Sequence, residues 1–131
     1  MKSFEDLLVW QKSLDLAVQL CQMQETKADL QYRAELVLVS CGIPAYIANA
    51  TSASTSAAFA TALDKPVSLA YKLETLITLG VDLGYIPSTL RASLEARAEE
   101  VRKMVVALRA SALRGEAGGT RRRAKTRTPA S

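Results

Sequence analysis

Apolar residues recur every three or four positions along most of the chain, which is the spacing of one face of an α-helix. Four such stretches are separated by polar segments or by segments that contain glycine and proline. We therefore predict an all-α fold. The pattern predicts a first helix from Ser3, a second from about Ala28 to Ala50, a third from Ser54 or Ser56 to Gly84, and a fourth from Ser88 or Thr89 to Leu113.

The first predicted helix carries two apolar stripes. A helix of this kind has more apolar surface than one neighbour can cover. The pattern is typical of a central helix in a bundle and equally of a helix at a subunit interface, and both alternatives stay open. One stripe comprises Phe4, Leu7, Leu8, Leu14, Val18 and Cys21, and the other comprises Val9, Leu16, Leu20 and Met23.

The centre of the chain has no charged side chain between Leu36 and Thr61. A membrane-spanning helix needs about 20 mostly large apolar residues. Serine, threonine, glycine, proline and asparagine interrupt this stretch, so we do not expect a membrane span. The stretch is typical of the end of one buried helix, a turn of small residues and the start of another helix. Other helices, from this chain or from other copies, are expected to cover it.

Two prolines fall inside the predicted helices. Pro44, with Gly42 beside it, predicts a kink in the second helix, because proline removes one backbone hydrogen bond. Pro66 predicts either a kink in the third helix or a new helix with Pro66 in its first turn. The apolar spacing continues on both sides of Pro66, which favours a kinked continuous helix. Gly84 is placed as a left-handed C-cap, with Pro87 following it.

The residues that carry most enzyme chemistry are scarce. The 131 residues form one domain and include no histidine, which is the commonest general base. The cysteines, Cys21 and Cys41, fall at helical core positions and are predicted to be buried and reduced. Two thiols do not complete a zinc site, and no phosphate-binding loop appears. We predict no enzyme activity, no metal and no cofactor, and expect Glu35, Asp64, Glu74 and Asp82 to be surface or pairing charges.

Positive charge is concentrated at the end of the chain. Residues 113–131 hold six basic residues and one acidic residue, whereas the rest holds 11 basic and 12 acidic residues. Glycine, threonine and proline are also frequent beyond Gly115, and no apolar pattern remains there. We predict a helical bundle over residues 1–113 and a disordered basic tail over residues 114–131. No targeting signal is visible at the N-terminus, so we expect a cytoplasmic protein.

Several short segments resemble one family. Residues 4–12, FEDLLVWQK, resemble the N-terminal signature of the four-helix-bundle proteins first named for intervening sequences of bacterial 23S ribosomal RNA genes. Residues 43–48, IPAYIA, resemble the family's SIPxNIAEG motif, although Tyr46 replaces its asparagine and Asn49-Ala50 replace its Glu-Gly. Residues 73–75, LET, resemble its ELET motif, and residues 83–86, LGYI, resemble the segment before its last helix.

The resemblance implies a fold and partners. Members of the group are antiparallel up-and-down four-helix bundles that assemble as rings of five. The group also includes relatives of the accessory variability protein of diversity-generating retroelements. The resemblance therefore implies a homopentamer that partners a reverse transcriptase and its template RNA. The uncharged surface of the second and third helices fits an interface between copies.

Two functional hypotheses follow. The first is a non-enzymatic accessory protein that binds nucleic acid, with RNA expected, through electrostatic contacts with phosphates. The second is a structural homo-oligomeric module that binds only protein partners, in which the tail is a solubilising end. The residues expected to bind nucleic acid are Arg121, Arg122, Arg123, Lys125 and Arg127 in the tail, followed by Arg102, Lys103 and Arg109 in the fourth helix.

Overall fold

The computed structural model describes residues 3–23 and 29–115, and these residues contain helices and no strand. The elements in chain order are a 3₁₀ turn (Phe4–Asp6), α1 (Leu8–Gln22), α2 (Leu30–Ala50), α3 (Ser56–Ala62), α4 (Asp64–Asp82), a second 3₁₀ turn (Ser88–Leu90) and α5 (Arg91–Leu113). Helices α3 and α4 follow each other as one bent rod. The described residues therefore form four rods, which confirms the predicted all-α four-helix bundle.

The rods are arranged in a ring of antiparallel neighbours. Helix α1 packs on α2 and α5, and α4 packs on the same two helices. Side-chain contacts give the directions. Near the start of α2, Tyr32 reaches the carbonyl of Leu76, whereas Tyr46, near its end, lies beneath Lys65 at the start of α4. Each helix therefore runs opposite to the rods beside it, as the up-and-down topology requires.

Short polar side chains cap the start of the second and third rods. Asp29 accepts hydrogen bonds from the backbone N–H groups of Gln31 and Tyr32, and Thr55 accepts one from Ala58. Ser3 caps only the first 3₁₀ turn, so the prediction that the first helix begins at Ser3 is wrong. An extended Leu7 separates that turn from α1 and packs its side chain against the core. Ala28, the predicted start of the second helix, lies outside the described residues.

The third rod bends at Leu63. The backbone there stays near the helical region, with φ −80° and ψ −9°, and the Leu63 N–H still bonds to the carbonyl of Phe59. Pro66 lies in the first turn of α4, where its missing N–H leaves no helical bond unmade. The bend is thus placed just before the proline. Pro44 lies inside α2, which runs on to Ala50 although this proline cannot donate to the carbonyl of Ser40.

The core is built from one apolar stripe of each rod. On the third and fourth rods the apolar residues that recur at helical spacing are the buried ones, since Leu63, Leu73 and Ile77 are almost without exposure, as are Leu94, Val101 and Val105. Gly84 ends α4 with φ +80°, as predicted for a left-handed cap. Among the described residues, the largest side chains with almost no exposure are Leu16, Leu20, Ile43, Ile47, Leu63, Leu73, Ile77 and Leu94.

Gly80 permits the closest approach between α2 and α4. The hydroxyl of Tyr32 crosses Gly80 and donates to the carbonyl of Leu76 at 2.5 Å. Burial, together with the neighbouring Tyr85, raises the pKa of Tyr32 to about 12, so the phenol stays a neutral donor at physiological pH. A methyl group on Gly80 would overlap the Tyr32 hydroxyl and lie 2.8 Å from Cδ1 of Ile86.

We predict that Gly80→Ala destabilises the fold by about 1–3 kcal/mol, because the methyl group must displace Tyr32 from a packed site. Gly42→Ala is the matched control, since its methyl group would meet only the flexible end of Leu69 closer than 3 Å. Urea unfolding monitored by circular dichroism measures both free energies. A Gly80→Ala protein that is as stable as the Gly42→Ala protein would contradict this account of the α2–α4 contact.

Candidate nucleic-acid interface

Arg102, one of the residues expected to bind phosphate, is held between α5 and α4 by contacts with side chains of the bundle. Its Nε donates to Glu74 of α4 at 2.5 Å, and its guanidinium lies 5.1 Å from the ring centre of Tyr71. The hydrogen bond to Glu74 raises the pKa of Arg102. Only 22% of the side chain is exposed. Arg102 therefore ties α5 to α4, and its charge is balanced by a partner that would repel a phosphate.

Lys103 and Arg109 also lie beside carboxylates. Lys103 is 65% exposed, and its Nζ is 3.3 Å from Glu99, one turn earlier on α5. Arg109 is 3.1 Å from Asp64 at the start of α4. The structure places Arg102 and Arg109 along the α4–α5 seam and Lys103 on the outer side of α5. It does not bring the three cations together into one positive patch.

Acidic residues balance the basic ones along the whole α4–α5 seam. Arg91 contacts Asp82 and also Glu95, the latter at 3.1 Å. The spacing of charges on the fourth predicted helix predicts that Glu95 and Glu99 pair with Arg102 and Lys103. For Glu95 this prediction is wrong, because Arg91 lies one helical turn away on the same face. The predicted pairing of Glu99 with Lys103 is confirmed. Glu35, Asp64, Glu74 and Asp82 are pairing charges, as predicted.

The described part of the chain has almost no net charge. Of the 17 basic residues in the sequence, ten lie there, and of the 13 acidic residues, eleven lie there, which leaves a charge of −1. Exposed ion pairs are individually weak, at about 0–1 kcal/mol, but together they remove the field that would steer a polyanion to this surface. The excess positive charge belongs to other parts of the chain.

The strongest group of predicted binding residues follows the last helix. Helix α5 ends at Leu113, and Gly115, with φ +75°, takes the chain out of the helix. The side chains of Arg121, Arg122, Arg123, Lys125 and Arg127 lie outside the described residues, as does the predicted disorder of the tail. The segment 116–131 is therefore attached to the end of α5 near the bend that precedes α4.

An exposed apolar surface runs along the outer sides of α1 and α2. We call this surface the α1–α2 face. Val18 is 45% exposed and Leu38 is 70% exposed. The stripes of the two helices meet where Sγ of Cys21 lies 3.6 Å from Sγ of Cys41. The face consists of Leu14, Val18 and Cys21 on α1 and of Ala34, Leu38, Cys41 and Ala45 on α2.

The α1–α2 face corrects the prediction for the cysteines. Both were expected in the core, but Cys21 is half-buried and Cys41 is exposed. The side of α2 that faces the core is set by Leu36, Ile43 and Ile47, and Cys41 lies on another side. On α1 the stripe of Val9, Leu16 and Leu20 is buried in the core, whereas Leu14 and Val18 of the other stripe stay exposed within the described bundle, so a central position does not account for that stripe. Two stripes on one helix were the signal for this surface.

Other kinds of site find no support in residues 3–23 and 29–115. No three histidine, cysteine, aspartate or glutamate side chains there are grouped so that they could hold a metal ion. No helix within these ranges is long and apolar enough to cross a membrane.

Known proteins resemble this chain in fold and in sequence. No curated protein matches the sequence. The crystal structure of a protein with unknown function from the S23 ribosomal protein family of Bacteroides thetaiotaomicron superposes with a TM-score of 0.69 and 23% identity. The match covers 77% of this chain and 97% of that one, and at this identity it supports the fold alone. A profile of the 23S rRNA-intervening sequence protein family matches residues 5–107. The chain therefore belongs to the 23S rRNA-intervening sequence protein family.

Proposed function

We propose that this protein is a non-enzymatic accessory protein that binds nucleic acid through its basic C-terminal segment, residues 114–131. The observation that carries the proposal is the separation of charge. The described bundle has a charge of −1, with its cations paired to carboxylates along α4 and α5, whereas residues 116–131 hold five basic residues and one acidic residue. A polyanion is attracted to the second region and not to the first.

The composition of the segment supports contacts with phosphates rather than with bases. Five basic residues lie between Arg121 and Arg127, and no aromatic residue follows Tyr85. Aromatic side chains are the usual platforms on which unpaired bases stack. Arginine and lysine side chains without such platforms bind the backbone with little dependence on sequence. The affinity is then dominated by the release of counterions and falls steeply with salt.

RNA is the nucleic acid that we propose. The family is named for an intervening sequence of 23S rRNA, and the neighbouring structure is named for a ribosomal protein family. The resemblance to the accessory proteins of diversity-generating retroelements further supports a reverse transcriptase and its template RNA as partners. In this role the bundle would be the scaffold that carries the basic segment to the enzyme.

The α1–α2 face supports self-association. Burying a leucine-sized side chain contributes about 1.5–3 kcal/mol, so covering Leu38, Leu14 and Val18 would outweigh several surface ion pairs. A second copy of the chain, presenting the same apolar face, is the partner that we propose, and a ring of five is the expected assembly. Such a ring would present five basic segments to one RNA, and their combined affinity would exceed that of one segment.

The exposed apolar face also supports a second candidate function, a homo-oligomeric module that binds only proteins. This function needs the α1–α2 face and makes no use of the basic segment. The two candidates therefore differ in the consequence of removing the positive charges.

We predict that a full-length variant with its basic cluster neutralised loses at least tenfold in affinity for a short labelled single-stranded RNA. Five phosphate contacts on a single strand correspond to a slope of log K against log salt of about −3.5, and the variant should approach zero slope. Fluorescence anisotropy at several salt concentrations measures both quantities. The substitutions are Arg121→Gln, Arg122→Gln, Arg123→Gln, Lys125→Gln and Arg127→Gln.

The matched control for this experiment is the double variant Lys103→Gln and Arg109→Gln, which removes two cations that already have acidic partners. We expect it to bind RNA nearly as tightly as the wild-type protein. If the control loses as much affinity as the neutralised tail, the binding site lies on α5. A wild-type protein that assembles but binds no RNA even at low salt would favour the module that binds only proteins.

We predict that Leu38→Glu shifts the assembled protein towards the 14.1 kDa monomer, because the new carboxylate would be buried at the centre of the α1–α2 face. Leu113→Glu is the matched control, since Leu113 is also 70% exposed but lies at the end of α5. Multi-angle light scattering gives the masses. Equal masses for the two variants, or a wild-type monomer at high concentration, would exclude this face as the interface.

A further inference from the structure

Two thiols from different helices are in contact at the protein surface. Sγ of Cys21 on α1 and Sγ of Cys41 on α2 are 3.6 Å apart and share one hydrogen bond. Cys21 is half-buried and Cys41 is exposed, so a small reagent can reach the pair from solvent. The bundle's packing does not require this contact, because both residues lie outside the core cluster.

We propose that Cys21 and Cys41 are a modification site, a dithiol that a small disulfide such as oxidised glutathione converts into a cross-link between α1 and α2. A disulfide has an S–S length of about 2.05 Å, so the sulfur atoms must approach by about 1.5 Å. Rotation about the side-chain bonds, with small adjustments of the helices, supplies a movement of this size. The exposed position of Cys41 leaves room for it.

The reaction proceeds in two exchange steps. One cysteine loses its proton to solvent, and the resulting thiolate attacks one sulfur of the small disulfide, which releases one small thiolate and leaves a mixed disulfide. The second cysteine, 3.6 Å away, then loses its proton, attacks the protein sulfur of that mixed disulfide and releases the second small thiolate. The two small thiolates take up the two protons. The protein loses two electrons and two protons, and one small disulfide is reduced to two thiols.

The chemistry of the pair is that of a cross-link rather than of a catalytic nucleophile. Burial raises the pKa of the Cys41 thiol, and the hydrogen bond with Cys21 raises it further. Catalytic cysteines have lowered pKa values, because the thiolate is the reactive form. Among the described residues, no third cysteine or histidine is present to complete a zinc site at the pair. A reversible disulfide is the chemistry that two neighbouring thiols support by themselves.

The cross-link would have two consequences. It would close the chain between residues 21 and 41 and so restrict the unfolded state. It would also fix the spacing of α1 and α2 at the centre of the α1–α2 face. The effect on assembly rests on the proposed self-association, whereas the oxidation itself takes place in the monomer, where the α1–α2 face is uncovered, and needs no RNA binding.

The experiment uses the full-length reduced protein, incubated with oxidised glutathione and analysed by intact-mass spectrometry and non-reducing gels. We expect a product that has lost two hydrogen atoms, carries no glutathione and runs as a monomer. Its thermal midpoint should rise by about 5 °C or more. The variants Cys21→Ser and Cys41→Ser are the matched controls, and each should stop at the mixed disulfide with one glutathione.

A comparison with the unfolded chain tests whether the fold positions the pair. The cross-link should form at least tenfold faster in the native protein than in urea. Wild-type protein that accumulates two glutathiones, that forms disulfides between chains, or that oxidises no faster when folded would overturn the proposal. The oxidation is followed at a protein concentration at which light scattering gives the monomer, so that the α1–α2 face is uncovered. These outcomes are then distinguishable from failure of the proposed function, because the mass of the oxidised monomer does not depend on RNA binding.

Discussion

Each rod of this bundle buries one apolar stripe in the core. The position of that stripe around the helix determines which side chains face the neighbouring helices and which face solvent. On α4 and α5 the remaining sides carry charged residues, and several of these pair with each other across the seam between the two helices. On α1 and α2 the core takes Leu16, Ile43 and Ile47, while a further apolar stripe faces outward. The packing that buries one stripe of each helix thus leaves the α1–α2 face as an exposed apolar surface, the kind of surface that is typical of interaction sites.

The distribution of charge follows from the same packing. Antiparallel contact between α4 and α5 places Asp82 opposite Arg91, Glu74 opposite Arg102 and Asp64 opposite Arg109. These pairs contribute little energy one by one, but they leave the bundle without a positive patch. The basic segment beyond Gly115 is separate from this balance. The apolar face proposed for assembly and the cationic segment proposed for a polyanion are therefore located on different parts of the chain.

Much of the fold could be predicted from periodicity. A long apolar stripe such as Leu94, Ala98 and Val101 identifies which side of its helix is buried. Gly84 was predictable for a different local reason, because glycine adopts the positive φ of a left-handed helix cap without a steric cost. The start of α1 could not be predicted in this way, because Leu7 lies outside the helix and packs against the core. The exposure of Cys41 could not be predicted either, because only one of two apolar stripes on α2 packs against neighbouring helices. The acidic partner of Arg102 lies on another helix, which periodicity within α5 cannot indicate.

The central claim is that the folded bundle is electrostatically neutral towards RNA and that the C-terminal segment makes the contacts. The most direct measurement is a titration of isotope-labelled full-length protein with single-stranded RNA, in which nuclear magnetic resonance follows each backbone amide. The account predicts that the changes are concentrated in residues 116–131 and that the amides along the α4–α5 seam stay unchanged. Large changes around Arg102, Lys103 and Arg109, with residues 116–131 unaffected, would contradict it.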